Sequence, residues 1–379
     1  MPIPATRILI VDDSVLYRKI LREALSLLTG VEVVGTAANG SIALKKIAQH
    51  RPDLLVLDVE MPGMDGLQVL QEVKKTFPEM GVLMLSSHTT KGAQVTMDAL
   101  SLGAFDFLPK PDTGSMDGNI KQLGQELGSA LGSFTRMQTI HRLVQAQSRP
   151  DPPQARPAYS SQNLRAWPYP KEIQAVGLGI STGGPVALTR IVPTIPGNIG
   201  VPFFVVQHMP PSFTRALAVK LDTLSALQVR EAVHEERVEA NSLYIAPGGK
   251  QMRVVRVHPG DQAILQVTDD PSENNCKPSI DYLFRSLAQV YGPRAIGVIM
   301  TGMGTDGTKG LIQMKEKGAM VIAQDEATSI VYSMPKKPVE AGVVDAVLPL
   351  DHIVNQICRW INPNLGGQAQ ANSCTAGPD

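Results

Sequence analysis

Short apolar runs alternate with segments of helical spacing along two stretches of the chain, residues 7–111 and 171–362. We identify five strand candidates in the first stretch and nine in the second. Such alternation is typical of a parallel sheet covered by helices. It predicts an α/β protein with two domains: a flavodoxin-like (βα)5 domain first, and a doubly wound, mostly parallel domain second. Runs 254–257 and 264–267, joined by H-P-G-D, predict a hairpin, so we expect the second sheet to be mixed.

A segment of different composition separates the two stretches. Residues 148–170 are rich in Pro, Ser, Gln and Arg and have few apolar side chains, so burial cannot offset the entropy of ordering them. The predicted division is therefore a first domain at 5–125, an interdomain linker at 126–170 and a second domain at 171–362. A polar tail at 363–379 is expected to be disordered. The linker is expected to begin as the continuation of a helix that spans 119–147.

Charge and cysteine content exclude several classes of protein. Acidic and basic residues balance at 35 each, so nothing in the net charge indicates a nucleic acid partner. The three cysteines, Cys276, Cys358 and Cys374, are too few and too far apart for a disulfide framework or a zinc cluster. We find neither a signal sequence nor a run of about 18 apolar residues that could span a membrane. The expectation is a soluble, cytoplasmic protein without membrane insertion.

Polar residues stand at the carboxyl ends of four predicted strands in the first domain. Asp12 and Asp13 close the first strand, and Asp58 closes the third. Ser86 closes the fourth strand, and Lys110 follows the fifth. One acid in such a place is usually a turn or cap residue, but three on one rim would repel each other without a cation. Hard oxygen ligands with room for water favour Mg²⁺.

This first domain resembles the receiver domain of two-component response regulators. The resemblance rests on V-D-D-S, L-D-V-E-M-P-G-M-D-G-L, the serine pair 86–87 and L-P-K-P. It implies that Asp58 accepts a phosphoryl group from a histidine kinase. The residues that it implies for the Mg²⁺ site are Asp12, Asp13, Asp58 and, through its backbone carbonyl, Glu60. Those that it implies for the response to the phosphoryl group are Ser86, Lys110 and the aromatic switch residue Phe107.

In the second domain, Ser181 lies where a predicted strand turns into a helix, within V-G-L-G-I-S-T-G-G-P. Pro185 suits the first turn of that helix, and free backbone N–H groups should surround the serine hydroxyl. The stretch also fits the G-x-S-x-G pattern of nucleophile turns. Taken alone, it fits an ordinary helix cap about equally well.

A base and an orienting acid are predicted on the same rim. His208 follows the next strand, in V-V-Q-H-M-P-P, and Asp306 lies in T-G-M-G-T-D-G after another strand. Because parallel neighbours end at one edge of the sheet, Ser181, His208 and Asp306 can meet there. Their order along the chain differs from that of α/β-hydrolases, but geometry rather than order defines a triad.

The loop that contains Asp306 also supports a rival interpretation. Gly302, Gly304 and Gly307 form a G-x-G-x-x-G between a strand and a helix, and Asp325 or Glu326 follows at the end of the next strand. This arrangement is typical of dinucleotide sites. Against it, Asp306 would bring a carboxylate towards the pyrophosphate.

Together, five segments of the second domain resemble the catalytic domain of chemotaxis protein-glutamate methylesterases, the CheB family. They are G-I-S-T-G-G-P, V-V-Q-H-M-P-P-S-F-T, Y-I-A-P-G-G-K, C-K-P-S-I-D and M-T-G-M-G-T-D-G. The resemblance implies that Ser181 is the nucleophile, His208 the base and Asp306 the orienting acid. It also implies oxyanion donors at the backbone N–H groups of Thr182 and Met303.

The resemblance further implies a phosphorylation-activated hydrolase that removes methyl groups from methylated glutamates of chemoreceptors and deamidates their glutamines. It implies no cofactor for the hydrolysis, and an unphosphorylated receiver that covers the catalytic cleft. The alternative is a response regulator whose second domain only binds a partner. DNA binding is disfavoured, since no helix-turn-helix pattern follows the linker.

Overall fold

A computed structural model describes residues 5–87, 89–111, 114–147, 172–258 and 260–362. The predictions for 148–170 and for the tail at 363–379 concern residues outside these ranges. Within the described ranges, no helix combines the length and the apolar character needed to cross a lipid bilayer.

The N-terminal domain has the predicted five parallel strands, in the order β2-β1-β3-β4-β5. All residues of the central strand β3 are buried, as a parallel strand with helices on both faces requires. The elements are β1 (Thr6–Val11), α1 (Val15–Ser26), β2 (Val31–Ala37), α2 (Gly40–His50), β3 (Leu54–Asp58), α3 (Gly66–Thr76), β4 (Gly81–Ser86), α4 (Thr90–Ser101), β5 (Asp106–Pro109) and α5 (Met116–Gln147). The prediction of a flavodoxin-like fold is confirmed.

The last helix of this domain, α5, extends well beyond residue 125. Its side chains Leu127, Leu131 and Phe134 are buried with those of the N-terminal sheet. Phe134 also makes an edge-to-face contact with Phe105, with ring centroids 5.6 Å apart. The core of the first domain therefore includes side chains from the first turns of the segment predicted as the linker, 126–170.

The C-terminal domain is built on seven parallel strands, in the order β14-β13-β12-β6-β7-β9-β8. The chain starts at the central strand β6, builds one side through β7 to β9, and then builds the other side from β12. In open α/β sheets, ligands bind where this order reverses, at the carboxyl ends of the strands. The elements are β6 (Ala175–Ile180), α6 (Gly184–Ile191), β7 (Phe203–Gln207), α7 (Pro211–Leu224), β8 (Gln228–Glu231), β9 (Ser242–Ile245), β10 (Gln251–Val255), β11 (Ile264–Thr268), α8 (Ile280–Val290), β12 (Ala295–Ile299), α9 (Thr308–Glu316), β13 (Met320–Gln324), α10 (Ser333–Glu340), β14 (Ala346–Leu348) and α11 (Leu350–Ile361).

The expectation of a mixed sheet is wrong in one respect. The hairpin β10–β11 exists and is antiparallel, but its strands form a separate two-stranded sheet. Strand β10 packs on helix α8, and the backbone N–H of Val254 donates to the Ser286 hydroxyl on that helix at 3.0 Å. Helix α8 therefore buries the hairpin and accepts one of its backbone hydrogen bonds, roles that the edge of the large sheet would otherwise have.

The two domains contact each other through α4 and β5 of the first and α7 of the second. The rings of Phe107 and Phe213 stack, with centroids 4.6 Å apart and planes 24° apart. Nearby, Lys220 pairs with Asp98 at 2.9 Å. This contact places the rim of the N-terminal sheet against the rim of the C-terminal sheet.

Candidate phosphorylation and hydrolase sites

The structure brings the predicted acidic residues of the first domain together at the ends of β1 and β3. Lys110 reaches into this cluster, with its Nζ 2.9 Å from Asp12 and 2.8 Å from Asp58. Burial raises the pKa of Asp58 to about 6, although Lys110 opposes that rise. Lys110 thus lies between two buried carboxylates at the rim of the sheet.

The donor set of this pocket fits a divalent cation. Asp12, Asp13 and Asp58 each offer a carboxylate oxygen, and these oxygens lie within 4.8 Å of one another. Oxygen donors of this kind suit Mg²⁺. Glu60 adjoins them, since its backbone N–H lies 3.4 Å from Asp58 Oδ1.

The predicted switch residues lie beside the pocket but differ in their surroundings. Ser86 is fully buried, and its hydroxyl lies 3.3 Å from the carbonyl of Ser87. Phe107 is turned inward, against Phe213 of the other domain. Because the aromatic side chain contributes to the domain contact, a change in its position would alter that contact.

Ser181 lies in the predicted turn between β6 and α6, at the switch point of the large sheet. Its backbone N–H donates to Thr301 at 3.0 Å, and its carbonyl accepts from Gly184 at 2.8 Å. A Cβ on Gly184 would lie 1.8 Å from Gln207 Oε1, so any larger residue at that position would displace the Gln207 side chain. The same Gln207 donates to the carbonyls of Ser181, at 3.0 Å, and His208, at 3.2 Å. This glutamine links the serine turn to the histidine turn.

His208 and Asp306 form the predicted pair. His208 Nε2 lies 2.9 Å from Asp306 Oδ2, and both side chains are largely buried. Burial disfavours the imidazolium, but the hydrogen bond to Asp306 and the nearby Cys276 outweigh it and raise the pKa of His208 to about 9. The pairing in turn lowers the pKa of Asp306 to about 2, against the opposing effect of burial.

Asp306 is held by the amino end of α8, which the sequence did not indicate. Ser279 Oγ donates to Oδ1 at 2.9 Å, and the backbone N–H groups of Ile280 and Asp281 donate at 2.7 and 3.2 Å. Asn274 Nδ2 adds a further bond at 2.9 Å. The helix end favours the charged carboxylate. With His208 included, these oxygens already accept five hydrogen bonds, so a metal shared with His208 and Cys276 is disfavoured.

The serine and the histidine share a rim without a hydrogen bond between them. Among the described residues, no such bond joins the Ser181 hydroxyl to His208. Since Nε2 is engaged by Asp306, the other ring nitrogen, Nδ1, is the one available to the serine. In this arrangement the Cys276 thiol lies 3.8 Å from Nδ1.

The two backbone N–H groups predicted as oxyanion donors lie in the serine turn and in the loop after β12. Within the described part of the chain, the N–H groups of Thr182 and Met303 donate to no protein acceptor. The Met303 side chain is 57% exposed, and its sulfur lies 2.8 Å from the Ser129 hydroxyl of α5. These free N–H groups fit the predicted oxyanion donors.

The geometry disfavours the dinucleotide interpretation of the glycine-rich loop. The Asp306 side chain faces His208 and α8. A phosphate site needs several open backbone donors, but the N–H groups of Gly302 and Gly304 already donate to Val331 and Ser333. Asp325 is also engaged, since its Oδ1 accepts from the backbone N–H and the hydroxyl of Thr328. The acid expected to bind a ribose is therefore part of a local turn.

The first domain lies over the serine. A cavity of about 160 Å³ is lined by Ser181, Thr182 and His208 on one side and by Asp106, Phe107 and Leu108 on the other. Burial raises the pKa of Asp106 to about 6, while hydrogen bonds from the backbone N–H groups of Phe107 and Gly183 oppose that rise. A carboxylate of the first domain is thus held against the serine turn of the second.

The fold and the two sites define a response regulator whose output domain has the features of a serine hydrolase. Family models agree: "Response regulator receiver domain" matches residues 8–118, and "CheB methylesterase" matches residues 176–357. A protein-glutamate methylesterase/protein-glutamine glutaminase of Desulfotalea psychrophila is 44% identical over 94% of this chain and 98% of its own length. A protein of the same name from Pyrococcus abyssi is 37% identical over 95% of both.

Among solved structures, the Thermotoga maritima CheB methylesterase catalytic domain covers 50% of this chain and 99% of its own, with 39% identity and a TM-score of 0.48. The chain belongs to the protein-glutamate methylesterase/protein-glutamine glutaminase family.

Proposed function

We propose that this protein removes methyl groups from methylated glutamates of chemoreceptors, deamidates receptor glutamines, and is activated by phosphorylation of its receiver domain. The proposal is supported by the observation that Ser181 and the bonded pair His208–Asp306 stand at one rim in a chain of this family. Its place of action would be the cytoplasm, with a histidine kinase as phosphodonor and chemoreceptors as substrates. The domain bounds given above, 5–125 and 171–362, form part of the proposal, with helix α5 continuing the core of the first domain to Phe134.

In the proposed mechanism, Ser181 Oγ attacks the ester carbonyl while His208 Nδ1 takes its proton. The N–H groups of Thr182 and Met303 bind the oxyanion, a contribution typically worth about 3–4 kcal/mol per well-placed donor. Methanol leaves with the proton from His208, and a water molecule activated by the same nitrogen hydrolyses the acyl-enzyme. With a primary amide, ammonia leaves instead and the product is again glutamate.

Phosphorylation of the receiver would regulate the hydrolase site through the contact between the two domains. Asp58 would take the phosphoryl group, with Mg²⁺ held by Asp12, Asp13, Asp58 and the carbonyl of Glu60. Ser86 and Lys110 would contact that group, and Phe107 would change position. Because Phe107 stacks on Phe213 beside the covered serine, its movement would loosen the contact and open the cleft.

The direct test is methanol release from methylated receptor membranes, with and without a small-molecule phosphodonor. Release that increases with phosphodonor supports the proposal, and no release under either condition contradicts it. A fluorophosphonate probe distinguishes the alternative, a partner-binding output domain, because only an activated serine is labelled.

We expect Lys220→Glu to raise the methanol release of the unphosphorylated protein. The change replaces the Lys220–Asp98 ion pair with a repulsion across the domain contact. A half-exposed pair of this kind contributes roughly 1 kcal/mol, so the rate should rise about threefold to tenfold. The charge swap Asp98→Lys/Lys220→Glu should restore the low rate. If both variants keep the wild-type rate, the receiver does not restrain the site through this contact.

A further inference from the structure

The loop before α8 holds an amide between two buried carboxylates. Asn274 Nδ2 lies 2.9 Å from Asp281 Oδ2 and 2.9 Å from Asp306 Oδ1. Asp281 and Asp306 are only 1% and 2% exposed, whereas Asn274 lies at the surface. An amide nitrogen has two protons, so one side chain can donate to both acids at once.

The backbone of this loop fixes the amide in place. Glu273 and Cys276 exchange two backbone hydrogen bonds, at 3.1 and 2.7 Å, around a turn in which Asn274 and Asn275 both have positive φ, 51° and 60°. Glu273 also pairs with Arg285 on α8, which fastens the turn to the helix that holds Asp306. Asparagine adopts this left-handed conformation more readily than most residues, so the turn alone could explain both asparagines.

Only one of the two asparagines faces the acids. Among the described side chains, Asn274 bonds to both carboxylates, and no hydrogen bond involves the Asn275 side chain. The charges around the amide are those of Asp281 and Asp306, with the Arg285–Glu273 ion pair beside Asp281 and the imidazole of His208 beyond Asp306. Burial and the negative charge of Asp306 raise the pKa of Asp281, so the two acids repel each other where the amide joins them.

We propose that Asn274 is a positioning residue for the hydrolase reaction. Its amide screens Asp306 from Asp281 and keeps Asp306 Oδ2 directed at His208 Nε2, which leaves Nδ1 to face the serine. This inference rests on the proposed function of Ser181, His208 and Asp306. The residue acts through Asp306 and does not touch the substrate.

The test compares Asn274→Gly and Asn274→Asp with Asn275→Gly in the full chain, by methanol release after phosphorylation. Glycine tolerates the turn at both positions, so Asn275→Gly should retain the wild-type rate. Loss of a hydrogen bond to a charged group should lower the rate of Asn274→Gly about tenfold. Asn274→Asp keeps a residue that tolerates the turn but adds a third carboxylate, so its rate should fall further.

The pH–rate profile separates positioning from a purely structural role. Without the amide, less of the Asp306 charge is neutralised and the pKa of His208 should rise. The limb on which the rate rises with pH should therefore move to higher pH in Asn274→Gly and stay in place in Asn275→Gly. Equal rates and profiles for the two glycine variants, or a wild-type rate for Asn274→Asp, would overturn the proposal. An inactive wild-type protein would instead refute the proposed function, which the same assay detects.

Discussion

Ser181→Ala should lose methanol release by at least about 10⁴-fold while the receiver still accepts a phosphoryl group at Asp58. In the proposed mechanism this side chain supplies the nucleophile, and alanine has no oxygen to replace it. The structural hydrogen bonds of residue 181 come from its backbone, to Thr301 and from Gly184 and Gln207. The variant should therefore keep the melting temperature of the wild-type protein.

Three measurements check this expectation. Methanol is quantified from methylated receptor membranes, Asp58 phosphorylation is followed with a radiolabelled phosphodonor, and unfolding is followed by circular dichroism. Ser225→Ala is the matched control, since that hydroxyl caps Leu227 far from the rim. Methanol release at the wild-type rate from Ser181→Ala would show that another residue is the nucleophile.

The fold was accessible from the sequence because its signals are local. Apolar runs bounded by turn residues mark each strand, and the polar residues that follow β6, β7 and β12 could be assigned to one rim from the parallel arrangement alone. The hairpin β10–β11 was placed in the wrong sheet because its partner is α8. Which surface a hairpin packs on depends on contacts distant in sequence, which no local pattern encodes.

The sequence indicates which residues form the candidate site, but not how their side chains are oriented. Ser181, His208 and Asp306 follow from strand ends, but the choice of Nε2 for Asp306 and the absence of a bond from His208 to Ser181 depend on side-chain orientation. The donors to Asp306 from Ser279 and Ile280 come from a helix that starts 26 residues earlier in the chain. A signal did exist for Asn274, the Asn-Asn pair typical of a tight turn, but a turn signal does not tell where the amide points.

Asp306→Asn is expected to lower the activity about 10⁴-fold, for a reason specific to this geometry. The carboxylate accepts hydrogen bonds at both oxygens, from His208 Nε2 and Ile280 on one side and from Ser279 and Asn274 on the other. An asparagine must turn its NH₂ group towards one of these two sets of donors. If it faces His208, Nε2 must give up its proton, and Nδ1 then carries the proton in place of accepting one from the serine.

The pH dependence of the activity is a second test of the role of Asp306. Against the opposing effect of burial, Asp306 and Cys276 raise the pKa of His208 to about 9. A base must be unprotonated, so wild-type activity should rise as the pH passes through that value. Without the carboxylate the pKa returns towards the ordinary histidine value, so the limb of Asp306→Asn should move to lower pH although its plateau is far lower. Ser181→Ala supplies the blank for alkaline ester hydrolysis, and Asp325→Asn, on the neighbouring loop, should match the wild-type protein. A loss below tenfold, or an unmoved limb, would mean that another acid orients His208.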